Sequence, residues 1–479
     1  LWKPLDGLNV TLQYVTQDAE QEGAPHVQLN LGGYNQAALQ YGNNIPADGA
    51  GMTNDISITN LVVEYDLGWA TLLSSSAWVE DKGGEDAESS SFLGGLPTAQ
   101  VFETSHDVFT EELRLVSRLD GAFQYIVGGF YEDKEQFSSQ NIYLVGDLSL
   151  TPIPLPFGST NPLLAEQFYD REVEQLSFYG ELSYDFTEQL TLTTGARRFD
   201  YKRSERYFLS SPGAFGSIDG AREKVKESGT NLKVNLSHQP NEDTMLYAQW
   251  AEGFRLGNVT APPPPSICDV NNDGILDGTN TPINPFFESD STENFELGAK
   301  LTLLDNRLQI NTAVYRVDWH DIPLRVFASA LPGQPQTCFT GITANAGEAR
   351  SQGLEIEATF QLAENLRINA GGAYTDIELT SVAVGIPPSL SEGDRLPSSP
   401  DYNVNLGVQY DFELGGAASY FQADYAYVSE FFNRVGEVGD KGGDYGQLNM
   451  SAGIALNNFD IELFAHNLTN EDALTSVGV

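Results

Sequence analysis

The sequence contains no apolar run approaching the roughly 18 residues that a membrane-spanning helix needs. A helical bundle in a bilayer is therefore excluded. Basic residues are scarce: 25 Lys and Arg stand against 67 Asp and Glu, for a net charge of −42. Such a chain offers no basic patch to nucleic acid, and it is ill suited to an anion-selective pore. The acid excess either keeps an exposed surface soluble and self-repelling or attracts cations and cationic ligands. The five histidines (His26, His106, His238, His320 and His466) are scattered without metal-ligand spacing. No G-x-S-x-G, H-E-x-x-H, P-loop or paired-cysteine metal motif is found, so no enzyme class is indicated and no cofactor is required.

What the sequence does have is alternation. Over 401–412, Tyr402, Val404, Leu406, Val408, Tyr410 and Phe412 interleave with Asp401, Asn403, Asn405, Gly407, Gln409 and Asp411. Side chains on a strand point alternately to opposite faces, so this strand has one greasy face and one wet face. The pattern recurs over 175–185, where Leu176, Phe178, Leu182 and Tyr184 oppose Gln175, Ser177, Glu181, Ser183 and Asp185. Over 459–466, Phe459, Ile461, Leu463 and Ala465 oppose Asp460, Glu462 and His466, with Phe464 out of phase. A dry core would not tolerate carboxylates on the polar face, so that face meets water or a hydrated plug. Segments of about ten alternating residues along most of a chain are what a membrane β-barrel requires. The 46 Gly, 26 Phe and 21 Tyr fit a barrel with aromatic girdles, although composition alone would also suit a soluble all-β protein.

The fold class expected is all-β: a transmembrane antiparallel barrel with about 17 strands in this chain, the first near 8–21 and the last near 459–467. Residues 1–479 read as one barrel domain. Connections alternate between short and long. Asp66-Leu67-Gly68, Leu119-Asp120-Gly121, Leu304-Asp305-Asn306 and Leu456-Asn457-Asn458 are short turns made of Gly, Asn and Asp. Between them lie long polar stretches, about 81–107, 135–172, 204–227, 257–291 and 320–349 among others, expected as loops.

Two of these long loops carry local chemistry. Asp269, Asn271, Asp273 and Asp277 stand at positions 1, 3, 5 and 9 of a calcium-type loop, with Gly274 at 6 and the carbonyl of Ile275 at 7. Position 12 is Asn280 rather than a bidentate Glu, so binding would be weak, and a metal-free Asn/Asp/Gly turn is the alternative. A structural calcium would stiffen the loop and take no part in catalysis. Cys268 and Cys338, the only cysteines, fall in neighbouring long loops. An exterior compartment permits a disulfide between them, contributing about 4 kcal/mol in the chain-entropy model; two free thiols are the alternative. Pro262–Pro265 would stiffen the same loop as polyproline II. Arg255 and Arg325 lie near outer strand ends, where they fix loops or touch ligand. Glu355 and Glu357 read as a solvated face rather than an acid/base pair, and His320 as a strand-end residue.

Four stretches resemble the barrel of TonB-dependent outer-membrane receptors. Trp250–Gly257 (WAEGFRLG) resembles its "GFR-G" strand end, and Tyr315–Ile322 (YRVDWHDI) its "Y-x-x-D-W-x-D-I" strand. Asn345–Glu357 resembles its "NAG" strand start, and Phe464–Asn470 its "N-L-T" segment before the final strand. They occur in the family's order, and the resemblance covers essentially all of 1–479. The resemblance implies a 22-stranded parent barrel with a plugged lumen in a Gram-negative outer membrane, bounded by lipid and lipopolysaccharide. Its plug, TonB box, first four strands and last strand would lie outside this chain. The expected activity is import of a scarce, large small-molecule ligand such as a siderophore, cobalamin or oligosaccharide, driven through the TonB–ExbB–ExbD complex. A passive porin-like channel and a structural surface barrel capped by a surface lipoprotein are the alternatives.

Overall fold

In the computed structural model, described over residues 2–22, 51–88, 98–144, 163–211, 216–220, 222–260, 263, 268–284, 286–328, 338, 341–382 and 390–475, all 23 named elements are β-strands. No helix there is long and apolar enough to cross a membrane, which says nothing of crossing by strands. Two compact units are distinguished. One comprises Leu1–Glu181, Arg197–Thr230 and Asn258–Pro264; the other comprises Leu182–Ala196, Asn231–Gly257 and Pro265–Val479.

The first unit opens with β1 (Trp2–Leu5), β2 (Leu8–Glu22), β3 (Gly51–Asp66), β4 (Ala70–Glu88), β5 (Thr98–Ser117) and β6 (Phe123–Leu144). Each pairs antiparallel with the next, as in Leu12↔Leu61, Leu61↔Ser76, Ser76↔Glu111 and Glu111↔Tyr131. Then follow β7 (Leu163–Thr187), β8 (Leu190–Ser211) and, after the short β9 (Gly216–Asp219), β10 (Glu223–Asn241); β7, β8 and β10 each have residues in both units. The second unit continues with β11 (Thr244–Arg255), while β12 (Asn258–Val259) falls in the first. The remaining strands are β13 (Phe286–Phe287), β14 (Asp290–Leu303), β15 (Leu308–Phe327), β16 (Gly341–Ala363), β17 (Leu366–Val382), β18 (Tyr402–Leu414), β19 (Ala417–Val428), β20 (Phe431–Arg434), β21 (Val438–Gly442), β22 (Tyr445–Leu456) and β23 (Phe459–Ala465).

Register turns the sequence alternation into two faces. Within the second unit one row runs Leu236↔Ala248↔Leu297↔Val314↔Leu354↔Tyr374↔Tyr402 across β10, β11, β14, β15, β16, β17 and β18. Apart from the small Ala248, these side chains are 42–59% exposed. The adjacent row, Ser237↔Tyr247↔Gly298↔Ala313↔Glu355↔Ala373↔Asn403, is small or polar throughout and points the other way. A continuous exposed apolar face of this extent is untenable in water and natural in hydrocarbon.

The wet face has a recurring device. Gly298 lies under the ring of its cross-strand partner Tyr247, whose hydroxyl donates to Glu296 at 2.5 Å. Gly453 lies under Tyr420, which donates to Glu462 at 2.7 Å, and Gly128 lies under Tyr179, which donates to Glu112. The ring covers backbone that a glycine would leave bare, and the phenol satisfies a carboxylate. These tyrosines therefore belong to the polar face and not to an aromatic girdle.

The seventeen long strands, β2–β8, β10, β11, β14–β19, β22 and β23, correspond to those expected from periodicity. The six short ones are too brief to display a period of two. Turn-side ends agree with the sequence reading: Gly68, with φ of 84°, donates its N–H to Asp66 Oδ1 at 2.7 Å. The opposite ends overrun it. β4 and β5 continue to Glu88 and from Thr98 within the expected 81–107 loop, and β6, β7 and β8 likewise invade 135–172 and 204–227. Pairs such as Glu80↔Asp107 and Lys82↔Ser105 keep the ladder going without apolar alternation. Lipid imposes the alternation, whereas backbone pairing does not need it. Of Pro262–Pro265 only Pro263 is described, and His26 also lies outside the described residues.

Leu406→Arg on the apolar face should destabilise the lipid-inserted protein by about 2–4 kcal/mol if the site lies near mid-membrane. Asn405→Arg on the wet face should cost under about 0.5 kcal/mol. Urea unfolding in lipid vesicles measures both, and equal effects would contradict the assignment of faces.

Candidate functional site

The family-like segments converge on anchors at the long-connection ends of the second unit. Asp290, the first residue of β14 and 3% exposed, is paired in register with Arg255 at the end of β11. Arg255 Nε donates to Oδ1 at 3.0 Å and Nη2 to Oδ2 at 2.7 Å. Trp319 Nε1 also donates to Oδ2, at 2.6 Å, while the Arg255 guanidinium lies 5.5 Å from the Trp319 ring centroid. A buried carboxylate is tolerable because these donors replace its hydration. Asp318 accepts from Arg316 Nε at 2.8 Å and from Arg350 Nε at 2.9 Å.

Asn345 fills a break in the ladder. The β15–β16 register shifts between Trp319 and Ile322, where Asp321 takes a φ of 56°. Asn345 Nδ2 donates to the Asp321 carbonyl at 2.7 Å and to that of Glu288 at 3.0 Å, and Oδ1 accepts from the Glu288 N–H at 2.7 Å. His320 Nδ1 lies 3.8 Å from Glu348 on this rim. Arg325 sits on β15 in register with Thr343, and Glu355 and Glu357 are exposed on β16. Asn467, with φ of 50°, receives the Glu471 N–H at 2.8 Å and donates to its carbonyl at 2.9 Å. Outside the strands, Arg395 donates to Asp401. That hydrogen bond raises its pKa above the ordinary arginine value, against the downward pull of partial burial.

Cys268 and Cys338 are joined, 70 residues apart in sequence and 4.8 Å apart at Cα. With Leu276, Val326 and Ile342, each at most 1% exposed, they form a small core, against which Ile283, Leu324, Ala328 and Ala344 pack. The loop residues singled out by spacing lie beside it. Asp269, 8% exposed, accepts from the Asp273 N–H at 2.9 Å and the Gly274 N–H at 3.1 Å. Asp273 Oδ1 accepts from the Ile275 N–H at 2.8 Å, and Asn271 Nδ2 donates to Asp273 Oδ2 at 2.8 Å. Asp277 Oδ2 accepts from the Val270 N–H at 3.2 Å. Among the described residues no three His, Cys, Asp or Glu side chains gather at metal-binding distance.

The first unit holds a charged network that the sequence reading assigned to loops. The fully buried Glu205 side chain accepts from Arg171 Nε at 2.6 Å and Arg203 Nη2 at 3.4 Å. Arg222 bonds Asp170 and reaches Glu172 at 3.3 Å. Phe168 stacks on Phe208 at 5.0 Å, and Arg171 lies 4.7 Å over the Tyr169 ring. The dense charges of both signs in 170–174 and 202–206, able to pair across neighbouring strands, were the available signal for continued strands. Ser204 Oγ donates to Glu172 at 2.8 Å and accepts from Arg222 Nη1 at 3.0 Å, so these groups hold strand ends together.

Arg255→Ala should destabilise the protein by about 1–3 kcal/mol, because it leaves the buried Asp290 carboxylate with Trp319 as its remaining side-chain donor. The double variant Arg255→Ala/Asp290→Asn should recover part of that loss. Denaturant unfolding checks both, and a double variant as damaged as the single would remove the anchor's significance.

Residues 2–470 match the family described as TonB dependent receptor-like, beta-barrel. The chain is 24% identical over 360 residues to a probable TonB-dependent siderophore receptor, PiuA, of Acinetobacter baumannii, covering 68% of this chain and 44% of that protein. It is 32% identical over 159 residues to the metal-pseudopaline receptor CntO of Pseudomonas aeruginosa, covering 33% of this chain and 20% of that one. The chain thus spans less than half the length of these curated relatives. The crystal structure of PiuA superposes with a TM-score of 0.68 at 19% identity, covering 97% of this chain and 68% of that one. The ferric yersiniabactin uptake receptor FyuA of Yersinia pestis gives 0.68 at 17% identity, covering 88% of this chain and 57% of that one. These likenesses establish the fold. With the family pattern running from residue 2 to 470 over antiparallel strands that are apolar on one face and polar on the other, the chain belongs to the TonB-dependent receptor-like β-barrel family.

Proposed function

We propose that this chain is the barrel portion of an outer-membrane receptor that imports a scarce, large solute, with a metal–siderophore complex as the first class to test. The observation that carries the reading is the pair of facing rows across β10 to β18, one apolar and exposed, the other polar. That arrangement fits a lipid-facing wall around a wet lumen. The named relatives, a siderophore receptor and a metal-pseudopaline receptor, support the solute class. The barrel contributes wall, loops and hydrated lining and performs no chemistry. Energy would come from the inner-membrane proton-motive complex acting through a plug in the parent protein. The net charge of −42 weighs against strongly anionic ligands.

The test is uptake of radiolabelled metal–siderophore complexes by cells expressing the full-length parent protein, with and without a proton-motive uncoupler. Uptake should vanish on gene deletion, return on complementation and stop on uncoupling. Uncoupler-insensitive passage, together with steady conductance in planar bilayers, would replace this reading with a passive channel.

A further inference from the structure

We infer that residues 269–277 form a calcium site, with side-chain oxygens from Asp269, Asn271, Asp273 and Asp277 and the backbone carbonyl of Ile275 as ligands. Spacing alone would leave a plain turn as an equal reading. The structure adds an observation that the turn does not account for. Asp277 is 7% exposed, and its Oδ1 is buried with no hydrogen-bond partner. Its other oxygen accepts from the Val270 N–H, so the carboxylate folds back across the loop it closes. A buried, half-satisfied carboxylate is costly unless a positive charge meets it.

No side chain of the loop can supply that charge. From Leu256 to Ala299 the sequence contains no Lys or Arg, yet Asp269 and Asp277 are both buried there. Neither has an ion-pair partner among the described residues. A small cation bound by oxygens would neutralise them without a proton on either carboxylate, and the 1, 3, 5, 7, 9 spacing is that of calcium.

The surroundings suit such an ion. Asn271 and Asp273 are exposed and bonded to each other, a contact they can exchange for a shared ion. Gly274, with φ of 77°, makes the reversal that places Ile275 at the seventh position. Leu276, at the eighth, is fully buried against the Cys268–Cys338 bridge. Gathering the ligands would therefore pull on a fixed point and stiffen the connection between β11 and β14. The neutral Asn280 at position 12 sets the affinity at about 10⁻⁴–10⁻³ M, the range of exterior calcium modules.

The test uses the full-length receptor in detergent, freed of metal with EGTA and titrated calorimetrically with calcium chloride. Wild type should bind one ion saturably. Asp277→Asn should lower the affinity at least tenfold, yet in EGTA it should unfold at the same or a higher temperature, because an unsatisfied charge has gone. Asp273→Asn, at an exposed position where misfolding is no concern, should also weaken binding at least tenfold. Absence of saturable heat in wild type would overturn the assignment. So would equal binding by wild type and both variants, the result expected if calcium sits only on co-purified lipopolysaccharide.

Discussion

Backbone pairing is the constraint on which the rest of this protein depends. In hydrocarbon no water can satisfy an N–H or C=O, so each strand must find its bonds in the next. The antiparallel ladders from β1 to β6 and from β10 to β23 are the response, and they fix what side chains can do. Once Leu236 is set against Ala248, the whole apolar row is determined. A slip of one residue would send Glu355 and Asn403 into lipid.

Where the ladder is interrupted or ends, side chains take over the hydrogen bonding. Asn345 occupies the shift in β15, and Asp290 ties two arms of the rim together through Arg255 and Trp319. The segments that resemble the family are thus largely devices for ending strands cleanly. Each has its own physical role within the scaffold. The charged network around Glu205 does similar work in the first unit, with arginines standing in for the water that a buried carboxylate has lost.

Much of this was legible in the sequence, but unevenly. Strand existence and the short turns were readable because lipid writes a period of two and tight turns demand Gly, Asn or Asp. The far ends of β4 to β8 were not, because pairs such as Glu80 with Asp107 carry no alternation once lipid is left behind. Asp290 gave no signal: one acid among Glu288, Ser289, Ser291 and Glu293 has no pattern, and only the fold brings Trp319 to it. The spacing of Asp269 to Asp277 was plain, whereas the burial of Asp277 belongs to the core built by Leu276 and the cysteines, which no local window contains.

The tyrosines that roof glycines have a consequence for how such chains can vary. A side chain at Gly298 would collide with the Tyr247 ring, and loss of the ring would leave the glycine backbone bare and Glu296 without its phenol. Neither position can change alone without harm. Gly298, Tyr247 and Glu296 thus act as one heritable unit spread over two strands, as do Gly453, Tyr420 and Glu462 over three. Their joint substitution, rather than the constancy of any single residue, is the record that selection on this wall would leave.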